Sequence, residues 1–198
     1  MSEALILASG SAARAAVLKG AGVPFQVMRP ALDEEAAKAS LRKEGVPPPD
    51  QAMALAELKA LSVSRKERGL VLGADQMLLC EGRAFDKPAN RDAAREQLLA
   101  LRGRSHELLT AAAVALEGAV IWRALTRPKL TMRAFSEDFL EDYLDAVGPA
   151  VCASVGAYQI EGRGVQLFSR IEGEWFSILG LPMLELLVFL RERGVVRP

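Results

Sequence analysis

The sequence has few of the residues on which disulfide frameworks and metal clusters depend. Its 198 residues include two cysteines, Cys80 and Cys152, and one histidine, His106. Two cysteines in a chain of this length do not indicate a disulfide framework, and a reducing compartment suits them. A single histidine excludes a site built from several histidines, and no zinc-binding spacing is present. We expect both cysteines to be buried apolar residues and His106 to make a structural hydrogen bond.

Net charge and long hydrophobic runs are also missing. The 25 basic residues balance the 25 acidic ones, so no overall field draws the chain onto nucleic acid or an anionic membrane. The N-terminal apolar run, residues 4–8, is too short for a signal peptide or a membrane span and has no basic segment before it. We therefore expect a cytoplasmic protein with no nucleic-acid and no membrane partner, in which any anion site is local.

What the sequence does contain is an alternation of strand and helix patterns, followed by a long antiparallel pair. Apolar runs predict strands at 4–8, 25–28, 70–74 and 76–80. Periodic patterns predict helices at 12–21, 33–43 and 50–67, and a fourth helix in the stretch 90–103, with Asn90 as its N-cap and Gly103 after its end. Two β runs, HELLTAAAVAL and AVIWRALTRPKLTMR, follow around a hairpin turn. The tail predicts a helix from Ser136 to Val147, a strand in VQLFSRI and a final helix opened by Pro182. This order predicts one α/β domain over residues 1–198, with a mixed twisted sheet flanked by helices.

The stretch LILASGSAAR, residues 5–14, places three small residues between a buried strand and a helix. Free backbone N–H groups at a helix N-terminus favour anions, and small residues let a phosphate come close. Ser9 and Ser11 add hydroxyl donors, and Arg14 can make a bidentate contact with two oxygens of a phosphate. Ordinary capping by a serine, with Arg14 in water, explains the same pattern. The stretch is neither a Walker A nor a G-x-G-x-x-G motif.

Two charged residues fall in apolar surroundings. Asp75 ends the run LVLGAD, which predicts a carboxylate at the carboxyl end of a central strand. There it can hold a divalent cation, act as a general base, or simply start a turn. Lys59 lies on the same helix face as Leu55 and Val63. Its ammonium group either reaches water or enters a site that needs positive charge.

Three further residues carry weaker signals. Lys87 precedes a proline in FDKPAN and projects from a loop. Glu34 either complements the dipole of its helix or joins Asp75 in binding a metal. Glu161 lies with Tyr158 in the glycine-flanked segment GAYQIEGRG, which either cradles a base or forms a structural turn. Three cations, two carboxylates and a small-residue loop together suit a polyphosphate with a divalent metal.

These motifs resemble those of the Maf family, nucleotide pyrophosphatases related in fold to inosine triphosphatase. Seven segments occur in family order and spacing over nearly the whole chain: LILASGSAAR, LAELKA, VLGADQ, DKP, GRSHELLT, GAYQIEGRG and RIEGEWFSILGLP. The resemblance implies an inosine-triphosphatase-like fold with two lobes around a central cleft. It also implies hydrolysis of a nucleoside triphosphate to the monophosphate and pyrophosphate, a divalent metal (Mg²⁺ or Mn²⁺) and a homodimer.

The resemblance assigns roles residue by residue. Asp75 is implied as the catalytic base for water, and Glu34 and Asp75 are implied as metal ligands. The implied substrate-binding residues are Ser9, Ser11, Arg14, Lys59 and Lys87. The family motif continues with proline and a first arginine where this chain has Ala12 and Ala13, so one cation is missing here.

Three positions separate the branches of the family, and here they hold Ala13, Gln76 and Glu161. The branch preferring dTTP and UTP has Arg, Thr and Gln, whereas the branch preferring 7-methyl-GTP has Trp, Gln and Glu. Two of the three residues match the second branch, and a carboxylate at 161 can accept hydrogen bonds from guanine N1–H and its 2-amino group. We expect a preference for 7-methyl-GTP. The alternatives are a dTTP/UTP-type pyrophosphatase and a non-catalytic nucleotide-binding regulator of septum formation.

Overall fold

The computed structural model describes residues 4–197, and the chain divides into two compact units. Unit 1 consists of Met1–Gln76, Thr110–Thr126 and Glu174–Pro198. Unit 2 consists of Met77–Leu109 and Arg127–Gly173. The interpretation of residues 1–198 as a single domain stays a prediction.

Strands and helices are distributed over both units. The strands among residues 4–197 are β1 (Leu5–Ala8), β2 (Gln26–Val27), β3 (Leu70–Cys80), β4 (Arg83–Phe85), β5 (Ser105–Leu116), β6 (Ala119–Thr126), β7 (Lys129–Met132) and β8 (Phe168–Glu172). The α-helices of the same residues are α1 (Ala12–Gly20), α2 (Glu34–Lys43), α3 (Pro48–Ser64), α4 (Arg91–Leu101), α5 (Glu137–Val147), α6 (Trp175–Ile178) and α7 (Met183–Glu192). None of these helices is both long and apolar enough to cross a membrane.

Unit 1 is built on a sheet whose two faces are both covered by helices. β1 pairs in parallel with β2 and with β3, and β5 pairs antiparallel with β6, so the sheet is mixed. Leu5 and Leu7 of β1 pack in one core cluster with α1 and α7, whereas Ile6 and Ala8 pack with α3 on the other face. This alternation follows from the two-residue period of a strand. The predicted mixed α/β fold with flanking helices is confirmed.

Unit 2 is antiparallel and contains much irregular backbone. β3 pairs with β4, β5 pairs with β7, and β7 pairs with β8. Three short 3-10 helices cover Gly148–Ala153, Val155–Ala157 and Arg163–Leu167. α4 and α5 pack against each other, and Arg91 and Arg95 of α4 pair with acidic residues of α5. These helices hold the irregular segment in place: the hydroxyl of Tyr143 donates to the carbonyl of Ala157 at 3.1 Å.

Several sequence predictions need correction. The strands expected at 70–74 and 76–80 are one continuous strand, β3, so Asp75 lies in the middle of a strand instead of at its carboxyl end. The β run after the hairpin is two strands, β6 and β7, because Pro128 has no N–H for a ladder. The strand expected in VQLFSRI begins only at Phe168 and is preceded by a 3-10 helix. The short elements β4 and α6 were not predicted.

Most predicted helix starts are correct. Asn90 and Ser136 cap α4 and α5 with their side chains, as expected, and Asp33 caps α2. Helix α3 begins at Pro48, two residues before the predicted start, and Pro182 stands just outside α7 as its N-cap. The hairpin turn between β5 and β6 is formed by Glu117 and Gly118, both with positive φ.

Candidate active site

The loop after β1 is held by its own two serines. The hydroxyl of Ser9 accepts a hydrogen bond from the backbone N–H of Ser11 at 3.2 Å. The hydroxyl of Ser11 accepts one from the backbone N–H of Arg14 at 3.4 Å, which makes Ser11 the N-cap of α1. The capping interpretation of this stretch is therefore correct for Ser11.

Arg14, by contrast, is not simply solvated. Its Nη1 donates to the hydroxyl of Ser9 at 3.1 Å, and its Nε donates to the carbonyl of Gly180 at 3.0 Å. Burial lowers the pKa of the Arg14 guanidinium, and the negative charges of Asp75 and Glu34 oppose that shift. The arginine is thus fixed in direction, with two carboxylates close enough to interact with it.

Lys59 brings those two carboxylates together. Its Nζ lies 2.7 Å from Oδ1 of Asp75 and 2.7 Å from Oε2 of Glu34. Lys59 and Asp75 are only 5% and 6% exposed, whereas the side chain of Glu34 is 41% exposed. The ammonium group of Lys59 therefore does not extend to water and instead lies against two carboxylates. Removing Lys59 would leave the buried Asp75 carboxylate without its compensating charge, which is costly.

Gly73 explains how a helix residue reaches Asp75. A Cβ at position 73 would overlap the carbonyl oxygen of Ala56 and lie 2.6 Å from the backbone nitrogen of Ala60. Only glycine therefore allows β3 and α3 to approach this closely. Ala56 and Ala60 flank Lys59 on α3, and Gly73 precedes Asp75 by two residues on β3. The close approach sets the distance between the ammonium group and the carboxylate.

The second oxygen of Asp75 remains available for chemistry. Its Oδ2 is buried and has no hydrogen-bond partner within residues 4–197. Buried polar atoms are almost always satisfied, so such an atom indicates a place for water, a metal ion or substrate. It can accept a proton or contribute to a metal site.

Gln76 points into a separate network inside unit 1. Its Nε2 donates to the hydroxyl of Thr110 at 2.8 Å and to the carbonyls of Ser177 and Ile178 at 2.9 and 3.2 Å. The Thr110 hydroxyl itself donates to the carbonyl of Ser177 at 2.8 Å. The amide group of Gln76 therefore binds the backbone of the last two residues of α6.

The remaining predicted residues lie apart in the sequence and differ in setting. Ala13 is half-buried in α1 of unit 1. In unit 2, Lys87 is exposed on the loop between β4 and α4, and Glu161 is exposed in a turn between two 3-10 helices. Ser9, Ser11, Arg14, Glu34, Lys59, Asp75 and Gln76 are all in unit 1.

His106 has the structural role expected for it. Its Nε2 hydrogen-bonds the hydroxyl of Tyr158 at 2.9 Å, and both residues are buried. Burial lowers the pKa of His106 to about 4. Tyr158 is thus buried in the interior of unit 2. This supports the interpretation of GAYQIEGRG as a structural turn. Cys80 is buried as expected, and Cys152 is half-buried.

The sequence did not predict the residues that support the site through contacts between positions far apart in the chain. Thr110, Ser177 and Gly180 are separated by 34 or more positions from their partners Gln76 and Arg14. Their only sequence signal is their place in two of the family segments: Thr110 ends GRSHELLT, and Ser177 and Gly180 lie in RIEGEWFSILGLP. Neither segment indicates which residues its members contact. Gly73 could have been suspected, since a glycine inside an apolar strand often marks a close backbone approach.

The donor set suits a divalent cation that receives most of its ligands from substrate. Among residues 4–197 no group of three His, Cys, Asp or Glu side chains could hold a metal ion. Glu34 and Asp75 nevertheless supply two carboxylates, one of them with an unpartnered oxygen. Mg²⁺ is usually bound by one or two carboxylates together with phosphates and water. The residues present therefore fit such a metal.

Comparison with known proteins shows the family of the chain. The chain matches the family described as Maf-like protein over residues 4–193. It is 53% identical over 196 residues to a nucleoside triphosphate pyrophosphatase of Hyphomonas neptunium, covering 99% of both chains. It is 54% identical to a protein of the same name from Paramagnetospirillum magneticum, covering 98% of this chain and all of the relative. A 7-methyl-GTP pyrophosphatase of Mesorhizobium japonicum is 47% identical, with 99% of both chains covered. On these grounds the chain belongs to the Maf-like protein family.

Proposed function

We propose that this protein is a hydrolase that converts nucleoside triphosphates to the monophosphate and pyrophosphate. The observation that carries the proposal is the buried Asp75 carboxylate, held by Lys59 through one oxygen and unpartnered at the other. Relatives that match almost the whole chain and are named nucleoside triphosphate pyrophosphatases support it.

The chain offers several groups for the triphosphate. The hydroxyls of Ser9 and Ser11 and the guanidinium of Arg14 lie at the start of α1, where free backbone N–H groups and the helix dipole favour negative charge. Lys59 adds a buried ammonium group. In this proposal Lys87 adds a further cation. Cations near the phosphates stabilise the charge that develops as the bond to the leaving group breaks.

Asp75 is proposed as the general base. Its free oxygen accepts a proton from a water molecule, and the water oxygen forms a bond to the α-phosphorus. The bond between the α-phosphorus and the bridging oxygen breaks, and pyrophosphate leaves with the electron pair. A positioned base of this kind contributes about 10²–10⁴-fold to a rate.

Enzymes that hydrolyse nucleotide pyrophosphates generally need a divalent metal, and we propose that Glu34 and Asp75 hold Mg²⁺ or Mn²⁺ here. When bound, the metal supplies neutralisation of phosphate charge and polarisation of the phosphoryl oxygens. Lys59 already contacts both carboxylates. Its role in the proposal is to orient them before substrate arrives.

We further propose that 7-methyl-GTP is the preferred substrate. Gln76 and Glu161 match the corresponding branch of the family, and an exposed carboxylate at 161 suits both the donors of guanine and a cationic methylated base. The relative from Mesorhizobium japonicum named for this activity supports the choice. Ala13 departs from the branch. A cytoplasmic location remains a prediction from the composition and the short apolar runs, and a homodimer and a role in septum formation remain predictions from the family resemblance.

The first experiment is a panel of triphosphates with Mg²⁺ or Mn²⁺, scored by release of pyrophosphate. We expect the wild type to turn over at least one nucleotide and Asp75→Asn to lose about 10²–10⁴-fold in kcat. Asp142→Asn, at an exposed position on α5, is the matched control and should leave kcat unchanged. If no triphosphate is hydrolysed, the non-catalytic regulator becomes the better interpretation.

The second experiment tests the nucleotide preference. Glu161→Gln should lower kcat/KM for 7-methyl-GTP more than for UTP or dTTP, because the amide cannot accept two hydrogen bonds from guanine as the carboxylate does. Glu96→Gln, an exposed position on α4 of the same unit, is the control. Equal effects on all nucleotides would remove Glu161 from the specificity site, and faster turnover of UTP than of 7-methyl-GTP would favour the dTTP/UTP-type activity.

A further inference from the structure

The amide group of Gln76 contacts the backbone that holds Arg14, and this suggests a role beyond choice of base. We infer that Gln76 is a positioning residue: with Thr110, it fixes the backbone 177–180 and thereby the direction of the Arg14 guanidinium. This inference rests on the proposed function, in which Arg14 binds the triphosphate. It concerns how the site is supported and therefore has its own test.

The first step is the fixing of residues 177 and 178. Three acceptors surround Nε2 of Gln76: the hydroxyl of Thr110 and the carbonyls of Ser177 and Ile178. The carbonyl of Ser177 also accepts from Thr110 at 2.8 Å. Thr110 and Ser177 are both fully buried. Hydrogen bonds between buried groups are costly to lose, because the unpaired partner cannot turn to water.

The second step leads from this backbone to Arg14. Gly180 follows Ile178 by two residues, and its carbonyl accepts the Nε–H of Arg14 at 3.0 Å. Gly180 has φ +105°, which other residues rarely adopt, and a Cβ there would lie 3.2 Å from that Nε. The position of this carbonyl depends on where residues 177 and 178 are held.

A carboxylate fixes the same backbone from its other side. Glu174 accepts a hydrogen bond from the hydroxyl of Ser177 through one oxygen. Its other oxygen accepts the backbone N–H of Leu184 at 2.8 Å, at the start of α7. Hydrogen bonds therefore hold the segment that carries Gly180 at both ends. Gln76 provides those at Ser177 and Ile178, and Glu174 provides those at Ser177 and Leu184.

The chain order adds a consequence for catalysis. Gln76 directly follows Asp75 in β3. The same strand therefore carries the proposed base and the residue that fixes the direction of the Arg14 guanidinium. The guanidinium in turn donates to the hydroxyl of Ser9. A displaced Gln76 would thus alter how phosphate is held for every nucleotide, independently of its base.

Thr110 separates this role from base recognition. Its side chain is completely buried and cannot touch a nucleotide, yet its hydroxyl is part of the same network. Thr110→Val removes the hydroxyl and keeps the shape, and Thr110→Ser retains the hydroxyl. We expect Thr110→Val to lower kcat/KM about tenfold, by the same factor for purine and pyrimidine triphosphates, and mainly through KM. Thr110→Ser should recover most of the loss.

A double-mutant cycle with Arg14→Lys tests the path through Arg14. Lysine keeps a positive charge but cannot bind Gly180 and Ser9 through a planar fork. In the Arg14→Lys background, Thr110→Val should change kcat/KM by less than about twofold. A full tenfold effect in that background would overturn the inference. So would an effect of Thr110→Val that differs between nucleotides, because it would make the network part of base recognition.

A measurement without turnover keeps this inference distinct from the proposed function. The Nε–H of Arg14 gives an NMR signal that is identified by its loss in Arg14→Lys. Its bond to Gly180 should slow exchange with solvent in the wild type and in Thr110→Ser, and exchange should be at least about tenfold faster in Thr110→Val. Equal exchange in all three proteins would overturn the positioning role, whether or not any triphosphate is hydrolysed.

Discussion

The ammonium nitrogen of Lys59 and Oδ1 of Asp75 lie 2.7 Å apart, at a depth where each residue is about 5% exposed. The same nitrogen is 2.7 Å from Oε2 of Glu34, so one cation contacts two carboxylates. Those carboxylates are the proposed metal ligands. A lysine in this position competes with a divalent cation for the same oxygens, and the protein without nucleotide should bind metal weakly.

Replacing Lys59 should therefore raise the affinity for metal in the absence of nucleotide. In Lys59→Met the two carboxylates lose the ammonium group between them, and their repulsion is relieved when Mn²⁺ binds. Charges a few ångströms apart near a protein surface interact by about 4 kcal/mol, so the Kd for Mn²⁺ should fall at least about tenfold. Titration followed by electron paramagnetic resonance measures this Kd directly, while triphosphate turnover should fall.

Lys38→Met is the matched control for this prediction. Lys38 lies on α2 and pairs at 3.3 Å with Glu35, whose side chain is 82% exposed. Removing a cation from a solvated carboxylate should leave Mn²⁺ affinity unchanged. An unchanged Kd in Lys59→Met as well would mean that Glu34 and Asp75 do not form a metal site.

Gly73→Ala should destabilise the protein and disturb the ion pair together. The added methyl group meets the carbonyl of Ala56 and the backbone of Ala60, neither of which can turn aside. Overpacking of this kind costs about 1–3 kcal/mol. Urea unfolding should show that loss, and kcat should fall because α3 carries Lys59 away from Asp75.

Gly20→Ala provides the opposite control. Gly20 ends α1 and does not have positive φ, and a Cβ added there would meet no atom within 4 Å. Alanine there should stabilise the protein by about 0.5–1 kcal/mol. A Gly73→Ala protein as stable as the wild type would refute the close approach of α3 and β3.

Buried His106 should make stability fall as the solution becomes acidic. Burial lowers its folded pKa to about 4 from an ordinary value of 6.5, and the histidine is 2% exposed. Between these two values the unfolded chain binds a proton that the folded chain does not, so the free energy of unfolding decreases as pH falls from about 6.5 to 4. The loss amounts to about 3 kcal/mol.

His106→Gln removes this titration and should flatten that part of the stability curve. The variant should be less stable than the wild type at pH 7, because the Tyr158 hydroxyl loses its imidazole partner. Urea unfolding of both proteins at pH 7, 6, 5 and 4.5 measures the difference. Parallel curves over this range would show that His106 takes up a proton equally in both states.

The turn between β5 and β6 offers a stabilising change. Glu117 and Gly118 have φ of 50° and 79°, the signs of a type I′ turn, in which asparagine is preferred to glutamate at the first position. Glu117→Asn should raise Tm by about 1–3 °C, as expected for a gain below about 1 kcal/mol. Glu117→Val should lower Tm, because a β-branched residue resists positive φ. Calorimetry of the two variants distinguishes these outcomes, and a higher Tm for valine would contradict the turn assignment.

The sequence predicts features that depend on nearby residues better than those that depend on distant ones. The caps Asn90 and Ser136 act on backbone three residues away, and both predictions are confirmed. The break predicted within β3 is wrong for a physical reason: an unpaired carboxylate would end a buried strand, but Lys59 neutralises Asp75 and the ladder continues. That neutralising partner comes from another helix and is not visible in the strand.

The irregular segment of unit 2 marks the limit of such prediction. Residues 148–164 have neither a helical nor a strand period, and with residues 165–167 they contain three 3-10 helices. Gly156 has φ +78°, and a side chain there would collide with Tyr158 and Leu78. Its conformation follows from tertiary packing. The assignment of individual site residues depends on resemblance to a family, since the pattern around Ser11 alone favours ordinary capping over anion binding.

The interior position of Asp75 in β3 has a consequence for how the site adapts to a ligand. Backbone in the middle of a ladder is among the last parts of a protein to open, so the proposed base should stay still on the timescale of turnover. Adjustment must then come from the side chains that meet it: Lys59 on four rotatable bonds, and Glu34 at the exposed end of α2. The substrate is fitted to a stationary carboxylate by movable partners, and amide hydrogen exchange at Asp75 should be equally slow with and without nucleotide.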